Sequence, residues 1–178
     1  MTPGLENGAI DALFERLFDE YRQPLLNYLY RLLGEAERAE EVCQDVFVRA
    51  YRALPRLPQG ANHRAWLYRI ATNAATDCYR RRRLLQWLPL RDEEADGMAS
   101  QAQQGPEAEV SERSAVGRAL VRLPLAYRQV LLLFVLQGFS VREIAEMLGI
   151  SDGAVKTRLF RARERFRTEY GKESGDAL

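Results

Sequence analysis

Histidine occurs once in the 178 residues, as His63, and cysteine only twice, as Cys43 and Cys78. A single histidine argues against histidine-based catalysis and against a multi-histidine metal site. The two cysteines make no CxxC motif and read as small buried apolar groups in a reduced, cytoplasmic protein. No GxxxxGK[ST] loop, GxGxxG turn or HExxH helix is present, so no phosphate cradle, dinucleotide turn or zinc-protease helix is expected. Together these gaps predict a chain that is not an enzyme, with no metal and no cofactor. Acidic and polar residues interrupt every early apolar run, which argues against a signal peptide. The longest apolar run, Val130 to Leu136, falls far short of the ~20 residues that span a bilayer, so no membrane insertion is expected. Strand-like alternation is nearly missing as well.

What is present is ordinary in bulk and uneven in detail. A hydrophobic fraction of 47% and a charged fraction of 29% suit a soluble globular protein. The net charge of +1 hides a split. Residues 1–88 carry 13 arginines against 11 acids, residues 89–115 carry 2 against 7, and residues 116–178 carry 11 basic side chains against 7. Two mildly basic blocks therefore flank an acidic segment.

Helical periodicity dominates. From Ile10 to Leu33 the apolar residues Leu13, Phe14, Leu17, Phe18, Tyr21, Leu25, Leu29, Leu32 and Leu33 follow one stripe. Pro24 is expected to kink or divide this stretch, and Gly34 to close it. Glu35 to Leu54 reads as the next helix, with Ala39, Val42, Val46, Ala50 and Leu54 on its inner face. "PRLPQGAN" (55–62) is a loop, and a third helix follows. From Pro89 to about Pro106 the pattern collapses into an acidic, Gly-, Ala- and Gln-rich run that cannot bury enough apolar surface to fold. The expected organisation is all-α: a domain over 1–88, a flexible linker over 89–110, and a second helical domain over 111–178.

The third helix, "HRAWLYRIATNAATDCYRRRR" (63–83), places Leu67, Ile70, Ala71, Ala74 and Cys78 on a core-facing stripe. Arg64, Tyr68, Thr72, Asn73, Thr76, Tyr79 and Arg80 are left on the outward side, with Trp66 at the flank. Rings can stack on unpaired bases, an amide can read a base edge, and guanidinium groups can hold phosphates. Packing under a loop, with arginines that merely solvate a helix end, explains the same pattern equally well.

The segment "SVREIAEMLGISDGAVKTRLFRARERF" (140–166) is a helix-turn-helix signature. Ser140 with Glu143 forms a capping box. Ile144, Ala145 and Leu148 face inward, Gly149 fits the turn, Ile150 packs between the helices and Ser151 caps the second helix. Val155, Leu159, Ala162 and Phe166 point to the core of that helix. Gly153, Lys156, Thr157, Phe160, Arg161 and Glu164 point outward near its N-terminal half, the part that such motifs place in the major groove.

With "EEVCQDVFVRAY" (40–51), "HRAWLYRIATNAATDCYRRRR" (63–83) and "LPLAYRQVLLLFVLQGFSVREIAEMLGISDGAVKTRLFRARERF" (123–166) in this order, the chain resembles an extracytoplasmic-function (ECF) sigma factor of the sigma-70 family, regions two and four. The resemblance implies several partners: the bacterial RNA polymerase core, through its largest-subunit clamp helices and its flap, promoter DNA, and an anti-sigma factor. It implies that Glu41, Gln44 and Asp45 grip the clamp, with Tyr51 and Phe47 adding apolar contact, although core packing accounts for Phe47 equally well. Residues 55–64 correspond to the loop that accepts a flipped base of the minus-ten element. Asn73 corresponds to a reader of that element, with Arg64, Trp66, Tyr68 and Arg80 beside it. Gly153, Lys156, Thr157, Phe160 and Arg161 correspond to the minus-thirty-five interface. Lys156 stands where many members carry arginine, and lysine lacks arginine's two-pronged guanine geometry.

Two other functions fit parts of the pattern. A helix-turn-helix transcription regulator acting without core polymerase docking would share residues 140–166, but it would need a sensor or receiver domain, and no βα alternation is seen. A helical adaptor with incidental basic faces would need neither DNA nor polymerase.

Overall fold

A computed structural model of the chain describes residues 3–87 and 114–174. Its elements are α1 (Pro3–Leu33), α2 (Ala36–Ala53), a 3-10 turn (Leu54–Arg56) and α3 (His63–Trp87), followed by α4 (Ala115–Arg122), α5 (Leu125–Leu131), a π-helical stretch (Leu132–Leu136), α6 (Val141–Leu148) and α7 (Asp152–Ser174). Among the described residues there is no strand, and no helix is long and apolar enough to cross a membrane. The fold is all-α, as the periodicity predicts. The linker expected over 89–110 falls on residues 88–113, outside the described residues.

Helices α1, α2 and α3 pack on one another as an N-terminal lobe. Along α1, Leu17, Leu25, Leu29 and Leu32 are buried, and Tyr28 and Tyr30 join them. Pro24 does not divide α1, which runs unbroken through it. The proline is exposed, so the carbonyl that loses its i→i−4 partner can turn to water instead. The inner face of α2 is the expected one: Ala39, Val42, Val46, Ala50 and Leu54 are all buried. Asn62 opens α3, its side chain accepting from the Ala65 N–H at 3.0 Å.

Helices α4 to α7 form a C-terminal lobe, with α7 packed along α4, α5 and α6. Side-chain caps and a glycine set several of its helix ends. Ser114 caps α4 by accepting from the Gly117 N–H at 3.0 Å. Ser140 and Glu143 form the expected capping box on α6. Gly149 closes α6 in the left-handed region at φ 64°, and Ser151 accepts from the Ala154 N–H at 3.2 Å at the start of α7.

The lobes touch one another, with α1 against α4 and α5 and α3 against α6. Gly34, which ends α1 at φ +80°, lies so near α4 that a Cβ there would sit 2.8 Å from Val121 Cγ2. Arg128 of α5 lies at this seam, 6% exposed, with no carboxylate among its hydrogen-bond partners. It donates to the carbonyls of Leu32 (2.5 Å), Val121 and Leu123 (2.9 Å), while its Nε is buried without a partner. Leu32 and Val121 lie in the last turns of α1 and α4, where carbonyls lack intrahelical partners, so one cation serves two negative helix ends. Burial pushes the guanidinium down to about 10, and it stays charged at neutral pH.

Candidate functional site

Three surfaces carry the residues singled out by sequence. On α2, Glu41 and Gln44 are exposed, and Asp45 is half-buried, paired with Arg49 at 2.7 Å. Arg49 also reaches Asp77 of α3 at 3.5 Å and so ties the two helices. Phe47 is not on this surface. It is 4% exposed, edge-on to Phe18 with ring centroids 4.8 Å apart, and belongs to the core. Tyr51 is exposed, its ring 5.0 Å from Phe14 and its hydroxyl donating to Asp11 at 2.9 Å. Val48 was not anticipated. It is an exposed apolar side chain four residues from Gln44 and three from Tyr51, on the same face of α2. The signal was there as a spacing from Gln44 and Tyr51, hidden by a run of apolar neighbours.

On α3 the wheel's outward side is corrected in two places. Tyr68 is 1% exposed and Thr72 fully buried. The Thr72 hydroxyl shares a 2.8 Å hydrogen bond with Tyr28 of α1 and donates to its own Tyr68 carbonyl at 2.7 Å. Tyr68 is wedged edge-on between Tyr28 and Phe139, both centroids 5.3 Å away, and its hydroxyl donates to Gln137 Oε1 at 2.7 Å. Burial pushes this phenol up to about 12, so it remains protonated. Arg64 lies beside it, its guanidinium 4.2 Å from the Phe139 ring centroid and donating to the Gln137 carbonyl.

The five residues expected at the minus-ten interface therefore do not share one face. Arg64 and Tyr68 sit four apart and turn toward the C-terminal lobe. Trp66, Asn73 and Arg80 sit seven apart, two helical turns each, and form a second stripe. Asn73 and Arg80 are exposed, while Trp66 is half-buried beside Phe14, Leu17, Phe47, Ala50, Leu54 and Leu67. Exposed Arg69 lies on this stripe too, four residues before Asn73, and was missed because the seven-residue spacing had not been separated from the four-residue one.

On α7 the expected residues do come together. Gly153, Lys156, Thr157, Phe160 and Arg161 are all exposed, Phe160 at 64%, in one stripe spaced three and four residues apart. Opposite them Val155, Leu159 and Ala162 are buried and Phe166 half-buried. The Thr157 hydroxyl donates to the Gly153 carbonyl at 2.9 Å. A positive helix start, two cations and a bare ring make a surface suited to a DNA groove. Among the described residues no group of three or more His, Cys, Asp or Glu could hold a metal ion.

Known proteins share this design. The Sigma-70 region 2 family pattern matches residues 17–84, and the Sigma-70, region 4 pattern matches residues 113–166. The chain is 31% identical to the ECF RNA polymerase sigma factor SigW of Bacillus subtilis over 173 residues, 93% of this chain and 92% of that protein. It is 36% identical to the ECF RNA polymerase sigma factor SigM of Mycobacterium tuberculosis over 158 residues, 88% of this chain and 74% of that protein. Its fold is similar to that of the sigma factor RpoE in complex with the anti-sigma factor NepR from Bartonella quintana (TM-score 0.68, 23% identity, 88% of this chain and 95% of that one). It is also similar to CnrH in complex with the cytosolic domain of CnrY (TM-score 0.64, 28% identity, 92% and 93%).

Proposed function

The chain belongs to the sigma-70 family, in its extracytoplasmic-function group, and from that premise we propose how its surfaces divide the work of starting transcription. It is an RNA polymerase sigma factor that directs core polymerase to specific promoters and assists their opening. The observation that carries this is the presence of both family regions, in order, in a chain alike over nearly its whole length to proteins named as ECF sigma factors.

In our reading, residues 1–88 form the region that docks on polymerase and reads the minus-ten element, 89–110 the linker, and 111–178 the region that reads the minus-thirty-five element. Glu41, Gln44, Asp45 and Tyr51, with Val48 added and Phe47 removed, present a polar and apolar patch to the clamp helices. The stripe of Gly153, Lys156, Thr157, Phe160 and Arg161 enters the major groove upstream. Asn73, Arg80, Trp66 and Arg69 meet the opened strand, joined by Arg64 and Tyr68 once their face is uncovered. Extruding a base costs a few kcal/mol and stacking returns ~1–3 kcal/mol per base, so opening several pairs needs polymerase as well. The protein selects and stabilises without chemistry of its own, inside the cell with the polymerase. An anti-sigma polypeptide is the remaining expected partner.

The test is transcription in vitro with purified core polymerase on a library of random upstream sequences. Start-site-specific initiation with two enriched upstream elements is expected. Initiation no more selective than with core polymerase alone would overturn the reading.

A further inference from the structure

Two ion-pair bridges join α2 to α3, and they differ in what they touch. At the start of α2, Arg82 of α3 donates to Glu35 at 2.5 Å, and Arg38 donates to the same carboxylate at 3.0 Å. None of these three residues belongs to a proposed DNA or polymerase surface. The second bridge is Arg49. One terminal nitrogen lies 2.7 Å from Asp45, four residues back on α2, and the other lies 3.5 Å from Asp77 of α3. Asp45 belongs to the polymerase-facing patch. Asp77 stands four residues after Asn73 and three before Arg80, at the edge of the strand-facing stripe. Asp45, Arg49 and Asp77 line one groove between the two helices, with side chains 38–46% exposed. A forked guanidinium can span two carboxylates on different helices, which the single nitrogen of lysine does less readily.

We infer that Arg49 is a positioning residue shared by two surfaces: it holds Asp45 toward the polymerase and masks the charge of Asp77 beside the opened strand. Without Arg49, Asp77 is a bare acid one helical turn from Asn73 and from Arg80. There it repels the phosphates of the strand and competes with them for the Arg80 guanidinium. Asp45 in turn loses the partner that fixes its side chain, and its ordering then falls on the docking step. An exposed ion pair shifts an equilibrium by about two- to fivefold. Arg49 therefore adjusts both affinities and is the origin of neither. The Glu35–Arg82 bridge ties the same two helices without touching either surface, so it separates a tie between helices from a mask. The inference rests on the docking and strand-binding roles proposed for α2 and α3.

The experiment uses the full chain as wild type, Arg49→Gln, Asp77→Asn, the double variant Arg49→Gln, Asp77→Asn, and Glu35→Gln. Circular dichroism checks that each is folded. Anisotropy of the labelled chain reads its affinity for purified core polymerase. A fluorescein-labelled single-stranded oligonucleotide of mixed sequence reads strand affinity in holoenzyme at saturating core, with core polymerase alone as the blank. Arg49→Gln is expected to weaken both affinities by about two- to fivefold. Adding Asp77→Asn should restore strand binding and leave core binding weak, and Glu35→Gln should move neither. Asp77→Asn alone should change strand affinity less than it does beside Arg49→Gln, since the mask is already in place. A loss from Glu35→Gln as large as that from Arg49→Gln would reduce Arg49 to a tie between helices. A double variant no better on the strand than Arg49→Gln would overturn the masking, and unchanged core affinity in Arg49→Gln would overturn the positioning. Gln44→Ala and Asn73→Ala test the underlying reading separately. Losses of core and strand affinity from these two uphold that reading even where Arg49→Gln is silent, and silence in both removes it and the inference together.

Discussion

The two helices with the strongest nucleic-acid signatures are presented in opposite ways. On α7 the expected stripe is wholly exposed and backed by a continuous buried face. On α3 the expected residues divide between an exposed stripe and a side pressed against the other lobe, where Tyr68 is 1% exposed. Duplex DNA shows its groove edges without being opened, so a helix that reads it can stand ready. Unpaired bases exist only after melting, and aromatic rings kept for them would otherwise lie bare in water. In the proposed reading, α7 offers an open surface and α3 one whose Arg64–Tyr68 side is packed against the C-terminal lobe.

Four experiments test that contrast, beginning with the largest effect. Phe139 is buried against Tyr68 and Arg64, so Phe139→Ala is expected to cost about 3–5 kcal/mol in urea unfolding. A loss confined to the C-terminal lobe would mean that the Arg64–Tyr68 side of α3 gains nothing from it. Next, Arg161→Ala should weaken duplex upstream-element binding by about 1–3 kcal/mol, measured by anisotropy in the free chain and in holoenzyme alike. Asn73→Ala should be silent on that duplex and appear only when the promoter opens; equal losses from both variants would erase the distinction. Ser140→Ala removes the capping box next to Phe139 and should cost about 1 kcal/mol, read as a lower melting temperature. The smallest effect is one of pH. Hydrogen bonds from the Ser140 backbone and hydroxyl hold the Glu143 carboxyl below its ordinary value of 4.5. A depressed folded-state value stabilises above the ordinary one and is lost as pH falls through the lowered one. The melting difference between wild type and Glu143→Gln should therefore be present at neutral pH and vanish in acid.

Much of each lobe was legible, because a helix packed on its own neighbours repeats its apolar residues every three to four positions. Ala39, Val42, Val46, Ala50 and Leu54 on α2, and Val155, Leu159 and Ala162 on α7, are buried as the wheel requires. Caps were legible too, since Ser140, Glu143 and Gly149 act within a few residues of one another. The failures have several causes. Tyr68 and Thr72 look outward relative to the α3 stripe, but Thr72 meets α1 and Tyr68 meets both α1 and a residue 69 positions away. Tyr28 escaped because its ring is claimed by that same α3 pair. Phe47 lies between Val46 and Val48 in the sequence and faces Phe14 and Phe18 of α1. Pro24 is tolerated because it is exposed. Periodicity reports one partner per helix, and the seam supplies a second.

Gly34 makes the meeting of the halves selective. Any bulkier residue there would be strained at φ +80° and would collide with Val121. A hybrid built by grafting one half from a homologue should inherit a mismatch at this point unless residues 34 and 121 travel together. How well such hybrids assemble is then set by one glycine and one valine, neither of which belongs to the proposed DNA-binding stripes.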